Sequence, residues 1–287
     1  MLLVVVLLWA LNITVTRYIL THGFDPLPYA TIRYGLATVV FLGITIVAER
    51  SLRIARSDWA LVGLAAVALY LNQVSFVFAL DRTSASIIGL LLGATPIFAA
   101  LLGIVLGTER LSSRFWFGAG VSFAGVGLVA LGAGGELEGG AVGIVLGVAT
   151  AFTWAAYSVA IAPLMRRYSP YRISALVLAL GWLLIAITGS HQTAHQDLDL
   201  GWEVWLLLVL ATLGPLVTTN VLWFRSLDRI GPARATLAAN LNPFVAAVFA
   251  LILLSESMTP VQVAGGVLIG LGIVLARRRQ PAPVAAE

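Results

Sequence analysis

Residues 94–112, ATPIFAALLGIVLGTERLS, read like residues 241–259, LNPFVAAVFALILLSESMT, 147 positions further on. Any apolar stretch resembles another by its leucines and valines. Here a proline and a glutamate keep the same register, Pro96 and Glu109 against Pro243 and Glu256. Working outward, Leu80-Asp81-Arg82 returns as Leu227-Asp228-Arg229, and Gly118 and Gly125 return as Gly265 and Gly272. Trp9 and Trp59 find rough partners in Trp154 and Trp205. A self-match that holds charge, proline and glycine in register over about 45 residues marks a tandem duplication. Duplicated apolar halves are a common build of secondary transporters.

Composition sets the class. The chain is 60% hydrophobic and 10% charged, with a mean hydropathy of +0.99, whereas soluble domains average roughly 25% charged. The charges are segregated, so apolar runs of about 17–23 residues alternate with short polar connections, each run long enough to cross a ~30 Å hydrocarbon core. Ten spans are predicted: 1–20, 29–48, 58–80, 84–106, 115–131, 140–162, 171–190, 203–225, 233–254 and 260–276. Asp25-Pro26, Pro28, Ser169-Pro170, Gly231-Pro232 and Thr259-Pro260 punctuate the joins, as helix breakers and first-turn prolines do. The expected units are 1–132 and 140–277, followed by a disordered cytoplasmic tail, 278–287. The apolar start has no basic segment before it, and Trp9 and Asn12 inside it fit a retained first span better than a cleaved leader.

All 17 basic residues are arginine, a usage that hints at a G+C-rich bacterial source. With the N-terminus cytoplasmic, only Arg17, Arg33 and Arg82 fall at or near the outside, and the other arginines fall inside. The positive-inside rule therefore puts both termini in the cytoplasm, and a bacterial inner membrane is expected. Five spans per half is odd, so the second copy enters the membrane inverted. The basic residues lie in loops rather than on one face, which argues against a nucleic-acid partner despite a pI of 9.8. With no cysteine, a disulfide framework or thiolate metal site is excluded.

Trp9-Ala-Leu-Asn12, Arg33-Tyr34, TPIFAALLGIVLGTERLS (95–112) and NPFVAAVFALILLSESMTPVQVAGGVLIGLGIVL (242–275) together resemble the EamA repeat of the drug/metabolite transporter superfamily. The likeness covers nearly the whole chain as two copies. It implies an all-α membrane protein of ten helices in two inverted five-helix repeats, usually an exporter of amino acids or other small metabolites. One departure is Ala175, near the place that Arg33 holds in the first copy. Small multidrug relatives bind cations with a membrane carboxylate in the first helix, where this chain offers Asn12, Thr14 and Thr16.

No Asp, Glu or His is predicted at mid-span, so the usual intramembrane proton relay is missing. An enzyme would need a nucleophile, base or metal constellation at accessible depth, and the spans supply none. His191 and His195 stand four apart in a loop without a third ligand, so no metal and no cofactor is expected. A small-molecule solute and membrane lipid are the expected partners, and a monomer can suffice. The function expected is export of neutral or zwitterionic metabolites such as amino acids by alternating access. A proton-coupled drug or sugar-type carrier is the alternative, import included, and a non-transport scaffold is a more distant one.

The spans do carry amides, hydroxyls and aromatics. Asn12, Asn72, Gln73, Asn220, Asn240 and Asn242 either bond neighbouring helices or line a solute path, because an amide left in lipid costs several kcal/mol. Gln73 and Asn220 are repeat-related, which predicts that they face one pathway from opposite sides of the midplane. Trp154 and Tyr157 share a helix face, as core packing or as a wall of that path. Pro96 and Pro243 are expected to kink their spans and free the carbonyls of Leu92 and Ala239; Pro215 adds a bend in one half alone. Those carbonyls are candidate ligands for an ammonium or hydroxyl. Arg33 is expected to snorkel outward, or else to meet a solute carboxylate at the outer mouth. Glu109 and Glu256 are expected to bond Arg110 or nearby helix N-termini. Glycines 118, 120, 125, 127, 265, 266, 270 and 272 predict close packing of spans five and ten. Spans one, three, four, six, eight and nine are expected to line the cavity.

Overall fold

The computed structural model describes residues 2–107, 113–132, 137–223 and 242–276. Among them all regular structure is helical: α1 (Leu2–Thr21), α2 (Pro26–Glu49), α3 (Trp59–Arg82), α4 (Ala85–Leu92), α5 (Thr95–Val105) and α6 (Ser113–Gly132). There follow α7 (Leu137–Met165), α8 (Pro170–Thr188), α9 (Ser190–His195), α10 (Trp202–Thr212), α11 (Asn242–Leu253) and α12 (Pro260–Ala276). Among the described residues, seven segments are long and apolar enough to cross a membrane: α1, α2, 56–82, 85–105, 141–165, α8 and 202–223. The end of the bundle that carries Thr21, Arg82 and Glu256 is called distal, and the end with Glu49 and Asp58 proximal.

Local chemistry sets the helix starts. Pro26 and Pro170 occupy first turns, where a missing N–H does no harm. Ser84 and Ser169 accept hydrogen bonds from the amides of Ile87 and Arg172, as N-caps do. At the proximal end the carboxylate of Glu49 pairs with Arg172 at 2.9 Å and accepts from Ser169. Asp58, buried, accepts from Arg167 at 2.6 Å and from the Tyr168 hydroxyl at 2.7 Å. These groups tie the starts of α3 and α8 and the end of α2 into one cluster.

Two features depart from the span pattern. The fourth span breaks its hydrogen-bond ladder at Gly93–Ala94, where both residues keep right-handed helical dihedrals but bond three residues back, and Pro96 sits in the first turn of α5. The eighth span runs from α10 into a π-helical segment, Leu213–Thr218, with Pro215 inside it. The expected connection 191–202 also begins with the short helix α9.

α1 packs against α11, α10, α3 and α4, which places it at the centre of the described bundle, while α3 also meets α7 and α8. α6 and α12 pair closely with each other. A Cβ at Gly125 would lie 2.5 Å from the Gly265 carbonyl oxygen, and one at Gly272 would lie 2.5 Å from that of Gly118. Backbone meets backbone here, so only glycine fits. Shifting the first contact by 147 residues turns it into the second, and Ser122 Oγ faces the carbonyl oxygen of Ile269, its own repeat partner, at 3.5 Å. The stripe is narrower than the glycine count predicts. Gly120 and Gly127 face open space, and Gly266 faces Leu90 on α4.

Candidate functional site

Mid-depth of the bundle holds a belt of polar atoms that the helices leave unpartnered. Among the described residues, eight buried side-chain atoms have no hydrogen bond: Thr31 Oγ1, Gln192 Oε1 and Thr193 Oγ1 toward the distal end, and Thr14 Oγ1, Arg33 Nε, Thr38 Oγ1, Gln73 Oε1 and Asn242 Oδ1 deeper in the bundle. At ~1.5 Å per residue, the deeper positions lie between about 10 and 18 Å from the distal ends of their helices. They come from α1, α2, α3 and α11, the helices around the centre. A buried polar atom without a partner costs about 1–3 kcal/mol, so such a cluster in an otherwise apolar bundle calls for an occupant or water.

Arg33 overturns the snorkelling expectation. It is only 3% exposed, and it reaches into the bundle rather than out of it. Its Nη2 donates to Asn12 Oδ1 at 2.7 Å and to the Ala211 carbonyl oxygen at 3.3 Å. Both partners sit nine residues from the distal ends of α1 and α10, about 14 Å in. The Ala211 carbonyl is the one that Pro215, four residues later, cannot serve with an N–H; Arg33 supplies the donor. The guanidinium carbon stands 5.7 Å and 5.9 Å from the ring centres of Tyr29 and Tyr34, within cation–π range.

The amides divide by role. Asn72 donates to the Thr150 carbonyl oxygen at 2.9 Å and to Thr153 Oγ1 at 3.4 Å, which fastens α3 to α7. Gln73 donates to Asn72 Oδ1 at 2.7 Å, and this bond holds its amide while Oε1 stays free. Asn12 is used by Arg33. Asn220 donates to the Leu216 carbonyl oxygen of its own helix at 2.6 Å. Gln73 and Asn220, expected to face one pathway from opposite sides of the midplane, each bond a neighbour on their own helix. Asn240 lies outside the described residues, as do Ala239, Glu109, Arg110 and Asp228. The rings of Trp154 and Tyr157 meet at a tilt of 39° with 5.3 Å between centres, and Trp154 is 37% exposed.

Pro96 and Pro215 do not leave ligand carbonyls behind; Ala239, the carbonyl expected to be freed by Pro243, lies outside the described residues. Thr95 Oγ1 donates to the Leu92 carbonyl oxygen at 2.7 Å, closing the break before Pro96. Around Pro215, Thr218 Oγ1 donates to Leu213 and Thr219 Oγ1 to Pro215, at 2.6 and 2.5 Å. Pro243 is the second residue of α11 as described.

The distal end is held by two charged side chains. Arg17 donates to the carbonyl oxygens of Leu80 and Asp81, capping α3. Ser255 takes φ 54° and turns the chain so that Glu256 accepts from the amides of Ala85 and Ser86, both at 2.9 Å, and from Ser86 Oγ at 2.6 Å. A carboxylate at a helix N-terminus is well placed, as expected for Glu256. Between Arg17 and Glu256 lies an open recess of about 370 Å³, bordered by Tyr18, His22 and Leu254.

Sequence reasoning missed the Arg33 cluster and the hydroxyls Thr14 and Thr38. The available signal was an arginine seven residues inside a span, facing a helix whose own polar residue is Asn12. Outward snorkelling satisfies the same sequence pattern, so only packing decides.

Apolar helices long enough to cross a membrane mark a multi-pass membrane protein. The chain belongs to the EamA-like transporter family, whose model matches residues 1–131 and 141–278. It is similar to a probable amino-acid metabolite efflux pump of Salmonella typhimurium, 28% identical over 95% of this chain and 92% of the pump. It is also similar to a probable terminal-alkyne amino-acid exporter of Streptantibioticus cattleyicolor, 27% identical over 94% of this chain and 93% of the exporter. An uncharacterized transporter of Archaeoglobus fulgidus is 26% identical over 92% of each chain. A solved crystal structure shares the fold at a TM-score of 0.65, with 21% identity over 96% of both chains. The protein is thus a multi-pass membrane transporter, in a family of transporters rather than enzymes.

Proposed function

We propose that the protein exports small neutral or zwitterionic metabolites, amino acids foremost, by alternating access in a bacterial inner membrane. Ten spans form two inverted five-helix halves, 1–132 and 140–277, with both termini cytoplasmic. The observation that carries the reading is the mid-depth belt of free polar atoms in α1, α2, α3 and α11. The free Oε1 of Gln73 and Oδ1 of Asn242 accept from the solute's ammonium or hydroxyl, and Trp154 and Tyr157 form an aromatic wall. Asn72 positions Gln73, and α6 and α12 brace the bundle away from the path.

The exchange of contacts under the 147-residue shift supports the inverted repeat, because an antiparallel pair related to itself in this way has a two-fold axis across it. The fourteen-to-three arginine split supports the orientation. The names of the Salmonella and Streptantibioticus relatives support amino-acid export. Among the described residues no carboxylate or histidine lies in the belt, which favours a solute moving without an obligatory proton relay.

Purified protein in proteoliposomes loaded with neutral amino acids tests this. Efflux above empty liposomes, with and without an imposed pH gradient, is the expected result. Strict dependence on the gradient, or flux of sugars or drugs alone, would instead support the proton-coupled carrier.

A further inference from the structure

Among the described residues, Arg33 is a buried cation without a counter-ion. The ion pairs among the described residues are Arg82–Asp81, Arg167–Asp58 and Arg172–Glu49, all at the ends of the bundle. None involves Arg33, whose neighbours are an amide oxygen, a peptide carbonyl and two tyrosine rings. An ionised group taken out of water without a pair carries a penalty of several kcal/mol, and an intramembrane charge is expensive by any scale. A guanidinium cannot escape by losing its proton. The penalty is tolerable where an anion enters as part of the working cycle.

Two hydrogen bonds hold the guanidinium in place. Both hydrogen bonds leave from Nη2, so Asn12 and the Ala211 carbonyl fix the plane of the group. Nε is buried and unpartnered, and Nη1 donates to no described residue, leaving most of the five N–H donors of an arginine free. The proline at 215 contributes by leaving the Ala211 carbonyl in need of a donor. Tyr29 and Tyr34 flank the cation with apolar faces and thin the water around it, which strengthens attraction to an incoming anion.

We infer that Arg33 is the binding residue for the carboxylate of the transported solute. This deepens the export reading above and rests on it: the solute class is narrowed to molecules that carry one carboxylate, zwitterionic amino acids or organic monoanions. Carboxylate matches a guanidinium in charge and planarity, and one negative charge neutralises the site. Cationic drugs are repelled by the same group, and uncharged solutes leave it unpaired.

Purified full-length protein in detergent is followed by thermal unfolding with L-threonine and L-phenylalanine, with their carboxamides, with 3-phenylpropionate and with chloride. Wild type, Arg33→Gln and Arg33→Lys are compared. The acids and 3-phenylpropionate are expected to raise the melting temperature of wild type, and the amides to do so at least tenfold more weakly. Arg33→Gln is expected to lose at least tenfold in apparent affinity for the acids, with Arg33→Lys intermediate. Without ligand, Arg33→Gln is expected to melt at or above the wild-type temperature, because an unpaired buried charge has been removed. Equal response to acid and amide, a response to chloride alone, or Arg33→Gln within twofold of wild type overturns the inference.

Should no compound register, the ligand-free comparison decides. A less stable Arg33→Gln makes Arg33 a structural tie to Asn12 and Ala211; equal or greater stability supports the receptor role. Failure of amino-acid flux in proteoliposomes with acid binding intact would sink the export reading and leave this one standing.

Discussion

The α6–α12 pair and the belt around α1 are built on opposite rules. In the pair, glycine backbones touch, and a Cβ at Gly265 would come within 2.8 Å of the Val129 amide nitrogen. In the belt, side chains are long and polar, and five of their atoms have no partner. The pair gains van der Waals contact over its length, which is how helices associate when lipid is as apolar as they are. The belt gives up hydrogen bonding worth about 1–3 kcal/mol per orphaned atom. On the proposed reading, stability and function sit on different helices.

The contrast breaks most visibly at Gly265. Gly265→Leu is expected to prevent folded, monodisperse protein, since the clash is with backbone and overpacking alone costs about 1–3 kcal/mol. Size-exclusion chromatography of the detergent-solubilised protein reads the outcome, with Gly120→Leu as the matched control in open space. At the belt, Gln73→Leu is expected to weaken amino-acid binding by about 1–3 kcal/mol, tenfold or more, while leaving the melting temperature at or above wild type. A stability loss without an affinity loss would move Gln73 into the structural class.

Thr95→Val removes the donor to the Leu92 carbonyl. It is expected to cost about 1 kcal/mol of stability with little change in affinity, read by thermal unfolding and flux together. The smallest effect belongs to Asn72→Ala. Its bond to Thr150 crosses helices in a membrane, where such bonds average about 0.6 kcal/mol. Any larger loss of transport in that variant reports the release of Gln73.

Much of the scaffold was legible before any coordinates. Run lengths placed the described spans to within a few residues, and glycines 118, 125, 265 and 272 announced the brace because only contact explains them. The site was half legible. Asn12, Gln73 and Asn242 were marked by being amides in apolar runs; Gln73 and Asn242 belong to the belt, and Asn12 holds Arg33. Arg33 was misread because a side chain of its length satisfies either direction, and its sequence neighbours do not say which. The carbonyl of Leu92 looked free because the rule for proline counts backbone donors alone; the Thr95 hydroxyl stands one residue away and fills the gap. Asn220 bonding its own helix and the π-helical turn at 213–218 are settled by local geometry on which sequence spacing is silent.

The account turns on whether the belt is the solute path. Because the chain contains no cysteine, single substitutions Thr14→Cys, Gln73→Cys and Asn242→Cys can be compared with Gly120→Cys and Gly127→Cys on the brace. A small, water-soluble thiol reagent is applied to protein in proteoliposomes, with and without a neutral amino acid. The belt positions are predicted to label, and the amino acid to slow that labelling, while the two brace positions stay unlabelled with or without it. Inert belt positions, or labelling that amino acids leave unchanged at all three, would contradict the account.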